Sequence, residues 1–459
     1  MKKRVLLYIF LTFIIFFGCR KQVYNLHNKL SFSSDTVFFD TVFTNIGSAT
    51  QILKVYNLSN SDIVLDHVFL AGGENSDFRL NINGLPTTNV QNILISAHDS
   101  IYIFVEVTVK DFNKGYLLRT DSIIFVINEQ IQTVQLVAVG WEVYLIKGLI
   151  IKSDTSWNSD KPVLIWNYVI VDSNATLNIN AGTQVFLHRF AGIHVLGSIK
   201  VNGLSDCTVV FSSDRLESYY ENLPGQWGAI VLYPTSYGNY FKWCVIKNSI
   251  IGISIDSVLD TVLIDHSIIY HQSYANIFAN NSNINLYTSL LADAGWYNFA
   301  AINGGTYKIY SSTIANYYTW GTIRNTPALA ITNYHLQGNN PVYVSSANVQ
   351  IINSIIYGSL DNEIILSPAY QWQNFNYLIS FSLLKTDQDY TTTSCIINQD
   401  PKFKDIVQFD FSLDENSPAI DKGNIDIINA MPILIYDLNQ ANRLQDGLPD
   451  IGAYEWQLN

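Results

Sequence analysis

The chain has 459 residues, of which 14% are charged and 13% aromatic, with a formal net charge of −12. That much apolar and aromatic surface can offset the entropy of ordering, which excludes a disordered chain. The excess of acids excludes a general nucleic-acid binder, whose polyanionic ligand requires a basic face.

In chain order, Lys2, Lys3 and Arg4 precede an apolar run from Val5 to Phe17 that is broken only by Thr12. The run is too short to span a hydrocarbon core, which takes about 20 residues, so it reads as a secretory signal. It closes on Gly18-Cys19, a small residue before a cysteine, and this ending resembles a bacterial lipoprotein signal. The resemblance implies cleavage after residue 18, lipidation of Cys19 and anchoring through acyl chains, each buried methylene contributing about 0.8 kcal/mol. Arg20, where an acid would imply retention at the inner membrane, implies the outer membrane. The alternative is an ordinary secreted protein with a chance cysteine. Residues 19–30 read as a tether. Loss of residues 1–18 removes three cations and no acid, which takes the net charge from −12 to −15. Cys207, Cys244 and Cys395 are odd in number and lack zinc spacing, and the first two lie in strand-like runs expected to bury free thiols.

Residues 31–142 carry the pattern of an antiparallel sandwich. Ile101, Ile103, Val105, Val107 and Val109 form a period-2 face, with Tyr102, Glu106 and Thr108 opposite. Further strands are expected at 37–42, 52–57, 63–70, 78–82, 122–127 and 133–139, separated by Gly, Asn and Asp. The stretch from Val55 to Leu65 and the exit from Gln135 to Gly140 resemble immunoglobulin-like modules of the MSP/ASH/hydin type. Such a module serves either as a spacer or as a ligand-binding domain.

Residues 145–459 contain an internal repeat in which a serine is followed by two apolar or β-branched residues. It occurs at Ser249, Ser267, Ser289, Ser312, Ser354 and Ser382. The steps are 18, 22, 23, 42 and 28 residues, with 42 read as two coils of 21. Coils of that size without a helical period predict a parallel β-helix with stacked inward side chains, and Ser and Asn suit its corners. The segments Asp154-Thr155-Ser156-Trp157, Ala181-Gly182-Thr183, Pro224-Gly225-Gln226-Trp227-Gly228, Ser417-Pro418-Ala419-Ile420-Asp421 and Asp450-Ile451-Gly452-Ala453-Tyr454-Glu455 resemble right-handed parallel β-helix lipoproteins of the Bacteroidota, with a pectin-lyase-like fold. The fold class is therefore all-β: an immunoglobulin-like sandwich followed by a right-handed parallel β-helix. Residues 400–459 are expected to cap the solenoid's end, with Asp400, Asp421, Asp437, Arg443, Asp450 and Glu455 forming turns and ion pairs there rather than an active site.

Candidate chemistry is sparse. The Asn-Thr-Asp, Gly-His-Gly and Arg-Ile-Lys motifs of pectin hydrolases do not occur. A lyase would draw on Asp256, Asp260, Asp265 and Asp293 for calcium and on few cations, Lys242, Lys247, Lys308, Arg324 and Lys385. Asp265 and His266 should face opposite sides if both lie on one strand, Lys247 and Asp265 could stack as an ion pair, and His266 and His271 read as surface or corner residues. No cofactor is expected, calcium entering only with the lyase alternative, and no catalytic residue is assigned. Trp296, Tyr297, Tyr317, Tyr318 and Trp320 are the candidate stacking surface for sugar rings, with Tyr307 and Tyr310 in the same cluster. At least one of Tyr317 and Tyr318 should face outward if both lie on one strand. The expected function is non-enzymatic glycan or surface binding, or structural display, at the bacterial outer membrane. The alternative is a polysaccharide lyase or glycoside hydrolase, which requires one groove that gathers two carboxylates with a Lys, Arg or His.

Overall fold

Alternating apolar residues build the first unit. In the computed structural model, which describes residues 29–110, 117–321, 323–337, 340–342, 344–369 and 374–457, the chain divides after Glu142. The signal run, Cys19 and most of the expected tether lie outside these residues. Two five-stranded sheets face each other. One runs in the order Ser31–Phe32, Gln51–Tyr56, Ser100–Val107, Phe78–Ile82, Leu85–Pro86. The other runs Thr36–Phe43, Gln130–Trp141, Leu117–Ile127, Ile63–Leu70, Asn89–Ile95, and its first pair is parallel. Ile101, Ile103, Val105, Val107 and Val109 all point into the core, against Leu53, Phe125 and Leu136. Asn57 is fully buried and ties the following turn, donating to the carbonyls of Ser61, Ile95 and Ser96. Leu30, assigned to the tether, is buried in this core. Strand Asn89–Ile95 was not expected, because Asn-Val-Gln-Asn-Ile-Leu-Ile lacks clean alternation.

The second unit, from Val143, is a parallel β-helix. Its strands form an 11-stranded and a 17-stranded parallel sheet, the longer of which bends around a corner. Equivalent residues stack from coil to coil: Val169, Ile193, Ile230, Ile253, Ile277, Phe299, Leu329 and Ile364 are all in register. Each is fully buried, so one apolar core runs the length of the solenoid.

The repeated serines explain how the coils are pinned. Ser267, Ser289, Ser312, Ser354 and Ser382 occupy one corner, fully buried. Each hydroxyl donates to the carbonyl two residues back, at 2.7–2.9 Å. Each also accepts the backbone N–H of the equivalent residue one coil earlier, at 3.1–3.3 Å. The residue before each serine is left-handed, with φ of 43–52° at His266, Thr288, Ser311, Asn353 and Phe381, which turns the corner. The ladder continues into cysteines. Cys244 precedes Ser267 in register and Cys395 follows Ser382, so sulfur replaces oxygen at both ends. Burial pushes the Cys244 thiol up to about 12.

Three expectations are corrected here. Ser249 is not a rung of the ladder; it opens the next strand, beside Trp227, five residues past the true rung at Cys244. The 42-residue step from Ser312 to Ser354 is one long coil, because Thr313–Asn316 pairs directly with Ile355–Gly358; the excess forms a loop and a hairpin. Cys207 is exposed, because it sits in a tight Leu204–Cys207 bridge outside the strands.

Residues 400–457 do not close the solenoid's end. They run back along its flank. Leu413, Ala419 and Ile451 pack on Ile355 and Leu383. Ile428 and Leu434 cover Tyr287, Tyr310 and Ile352, and Leu438, Ala453 and Tyr454 reach Trp243 and Leu290. Gly452 N–H donates to Asn353 O at 2.8 Å, and Ala453 N–H to Thr313 Oγ1 at 3.0 Å. The reason is apolar area: the outer face of this sheet is buried at Leu290, Ala292 and Ala315, whereas the last strand, Ile396–Ile397, is two residues long and leaves Ile397 40% exposed. Asp437, Arg443, Asp450 and Glu455 form a buried cluster inside this segment, with Arg443 3.4 Å from Glu455. Three carboxylates share one guanidinium there, and burial holds Asp450 and Glu455 above the usual carboxylate range.

Ser312→Ala should destabilise the protein by about 1–3 kcal/mol, because it strands the buried N–H of Ser289. Ser312→Cys, which retains an acceptor as Cys395 does, should cost less. Urea unfolding of the two variants checks both, and equal losses would show that the ladder contributes through packing alone.

Candidate functional site

A corner of the β-helix, offset from the serine ladder, carries the chemistry. The 11-stranded sheet's strands Ile268–Tyr270 and Leu290–Ala292 are in register, with Tyr270 opposite Ala292. The next residues, His271 and Asp293, therefore stack one coil apart, and His271 N–H donates to Asp293 O at 3.1 Å. Both are left-handed, φ 56° and 45°, as the corner requires. Asn248 holds the same place one coil earlier, and Asn316 one coil later.

Three outward segments wall this corner into a cleft of about 520 Å3. The first is the insertion after Ser213, which carries Glu221 and Asn222. Asn248 fixes it by donating from Nδ2 to the carbonyls of Glu221 and Leu223, both at 3.0 Å. The second is the loop of the long coil, with Tyr317, Thr319 and Trp320. Arg324 anchors it: its guanidinium donates to Asn316 O and Thr326 O and pairs with the fully buried Glu363 at 2.7 Å. The third is the turn 406–409, in which Asp405 accepts the N–H groups of Val407 and Gln408. Its Phe409 ring lies 4.3 Å from Tyr270 and 5.4 Å from His271. Tyr317 stacks on Phe411, ring centroids 6.4 Å apart.

The polar groups of the cleft differ in environment. Asp293 is only 8% exposed. Burial pushes its carboxyl up to about 6, against the opposing pull of the Tyr317 N–H bond at 2.8 Å and of Arg324. Burial, with Lys247 nearby, brings His271 down to about 4, so it is neutral at pH 7. His271 Nδ1 is buried without a partner among the described residues. Glu221, on the insertion after Ser213, lines the cleft and is exposed. The cleft thus gathers two carboxylates and a histidine, the constellation the enzyme alternative requires.

The candidate aromatic set divides. Tyr317 and Trp320 line the cleft, and Trp320 is 39% exposed. Trp296, 49% exposed, and Tyr297 lie instead against Tyr274, with Tyr318 next to Gly295. Tyr317 and Tyr318 are both half-buried, because the strand ends at Asn316 and period-2 reasoning does not reach them. Tyr307 is in the solenoid core, and Tyr310 lies under the C-terminal segment. Among the described residues no three His, Cys, Asp or Glu side chains are placed to hold a metal ion. Asp256 accepts from Asn280 and Asp260 from Gly238 N–H. Asp265 meets His266 at 2.7 Å: the strand ends at Asp265, so the opposite-face expectation, which needs both residues on one strand, does not apply, and the left-handed His266 turns back at the corner. Lys247 lies over the Tyr270 ring at 6.0 Å rather than pairing with Asp265; the register sets Lys242 beside Asp265. Sequence reasoning placed Asp293 in a calcium set and His271 at a corner. Their 22-residue separation, one coil, was the signal that joins them. Glu221 and Phe409 had no such signal, because they lie on segments outside the repeat.

No protein-family model and no curated protein matches the chain. Among solved structures, the chain is similar to pectate lyase Pel9A, at 12% identity over 69% of this chain and 88% of that one, TM-score 0.34. It is similar to an ASH/PapD-like domain of human CEP192, at 11% identity over 25% and 85%, TM-score 0.17. A family 123 glycoside hydrolase from Clostridium perfringens matches at 9% identity over 26% of this chain and 30% of that one, TM-score 0.19. The chain spans less than a third of that hydrolase.

The Asp293 carboxyl is raised from an ordinary 3.8 to about 6. The folded state therefore favours its protonated form: the contribution to stability is full below the ordinary value and is lost as pH rises through about 6. Asp293→Asn keeps an acceptor for Tyr317 N–H. It should gain on the order of 3 kcal/mol over the native chain at pH 8 and almost nothing at pH 4, measured by urea unfolding at both. An equal difference at the two pH values would refute a buried, raised carboxyl.

Proposed function

We propose that the chain is a lipid-anchored, extracytoplasmic protein of the bacterial outer membrane that binds a glycan in the cleft at His271 and Asp293. One observation carries the binding reading: a cleft of about 520 Å3 lined by the rings of Tyr270, Tyr317, Trp320 and Phe409 together with Glu221, Asn222, His271 and Asp293. Sugar rings offer apolar faces for aromatic stacking and hydroxyls for polar groups, and such mixed lining suits them. The Gly18-Cys19 ending and the β-helix segments that resemble surface lipoproteins support the location. A second reading, hydrolysis of the bound glycan, is favoured by the pairing of a buried, raised Asp293 with an exposed Glu221 in one cleft. A proton-bearing acid and an ionised carboxylate are what glycosidic cleavage uses.

The full-length protein, titrated calorimetrically against a panel of neutral, acidic and basic polysaccharide fragments, should retain at least one of them. Trp320→Ala should weaken that binding roughly fivefold, from the loss of about 1 kcal/mol of stacking, while Trp296→Ala leaves it unchanged. Retention without new reducing ends supports binding alone, and reducing-end release assigns hydrolysis. Failure to bind any fragment would sink both readings.

The anchor has its own test. Cys19→Ala should move the protein from the membrane fraction to the soluble one, read by detergent phase partitioning. Continued partition into detergent would overturn the lipoprotein reading.

A further inference from the structure

We propose that the cleft recognises a glycan unit bearing a protonated amine and rejects uronate and sulfated units, an inference that rests on the glycan-binding reading above. The lining sets the sign. Glu221 and Asp293 are its charged side chains among the described residues, and neither Lys nor Arg is among them. The cations near it, Arg324 and Lys247, lie outside the lining. Arg324 is bound to the Glu363 carboxylate and to the carbonyls of Asn316 and Thr326. Lys247 lies over the ring of Tyr270, outside the lining. His271 adds no charge at neutral pH, since burial brings it down to about 4.

An anionic sugar entering this space would give up water and meet two carboxylates; Lys247, whose charge acts on Glu221 and His271 from outside the lining, offsets this only in part, so entry is unfavourable in a partly desolvated site. An ammonium would meet two carboxylates and the faces of Trp320 and Tyr317, which attract cations electrostatically. A second observation marks the place as built for a ligand. His271 is more than nine-tenths buried, lines the cleft, and has an Nδ1 with no partner among the described residues. Buried polar atoms are rarely left unpaired, and His271 Nδ1 is the unpaired one among the described residues that line the cleft.

The test compares three oligosaccharides of equal length by isothermal titration against the full-length protein, at low salt and neutral pH, above the value of about 6 to which burial raises Asp293. The first is a glucosamine oligomer with free amines. The second is its N-acetylated counterpart, with the same rings and linkages and no charge. The third is a galacturonate oligomer. The free-amine oligomer should bind at least tenfold tighter than the acetylated one, and galacturonate should give no measurable heat. Added salt should narrow the gap between the first two, and Asp293→Asn should narrow it further. Equal affinity for the amine and the acetamide, or galacturonate binding as tight as either, overturns the inference. If none of the three binds while another glycan does, this inference fails and the glycan-binding reading stands; if no glycan binds, both fail.

Discussion

Register between coils is the constraint on which the β-helix depends. Every interior strand of a parallel stack is bonded on both sides, and a slip by one residue would turn its apolar set outward. The serine ladder makes such a slip costly at a buried place. Each hydroxyl donates within its own coil and accepts from the coil before, so a displaced coil would leave both a hydroxyl and an N–H unpaired at each rung. The left-handed residue before each serine aims the hydroxyl into the corner, and a residue as unsuited to that conformation as the β-branched Thr288 is nonetheless held there. Cys244 and Cys395 occupy the same position where the ladder begins and ends.

Register also decides where chemistry can collect. Residues one coil apart in sequence become neighbours, so His271 falls next to Asp293 without either being near the other in the chain. Coil length then determines what surrounds them. Extra residues cannot enter a stack whose core is filled, so they leave it as outward loops. The coil that ends at Cys244 contributes the wall with Glu221, and the long coil between Ser312 and Ser354 contributes the wall with Trp320. A buried Arg324–Glu363 pair holds the second wall. Such a pair is weak evidence for stability, since desolvation opposes it, but its bonds to Asn316 O, Thr326 O and Ala328 N–H fix the loop's two ends in one arrangement.

Much of this was legible in the sequence. The period-2 face at Ile101–Val109 and the recurring serines are local patterns, and each maps directly onto a buried face. The flank-running C-terminal segment was not legible, although its residues were singled out. A pattern such as Asp450-Ile451-Gly452-Ala453-Tyr454-Glu455 shows that something is covered, but which surface needs cover depends on the outer face of coils one hundred and more residues earlier. The aromatic cluster divided for a related reason. Trp296, Tyr307, Tyr310, Tyr317 and Trp320 are close in sequence, but one coil turns through every direction within about 22 residues. Neighbours in the chain therefore point to the core, the flank and the cleft in turn. The cleft residues that could be traced, His271 and Asp293, are those that obey the repeat.

The corner that carries them also shows why Asp293 stands apart. Asn248 and Asn316, at equivalent places one coil before His271 and one coil after Asp293, are buried and use their amides to donate to backbone carbonyls, Asn248 to Glu221 and Leu223 and Asn316 to Ala294. A carboxylate cannot make those bonds. Asp293 accepts from Tyr317 N–H, a bond that Asn would also make, and otherwise carries a charge that its burial disfavours. Local propensity, packing and polar satisfaction all favour asparagine at this place, and in a chain so poor in charge an acid there runs against each of them. Residues that oppose their structural setting belong, as a rule, to function. On the glycan-binding reading proposed above, a ligand in the cleft over Asp293, walled by the loops of two over-long coils and the turn 406–409, would relieve that opposition.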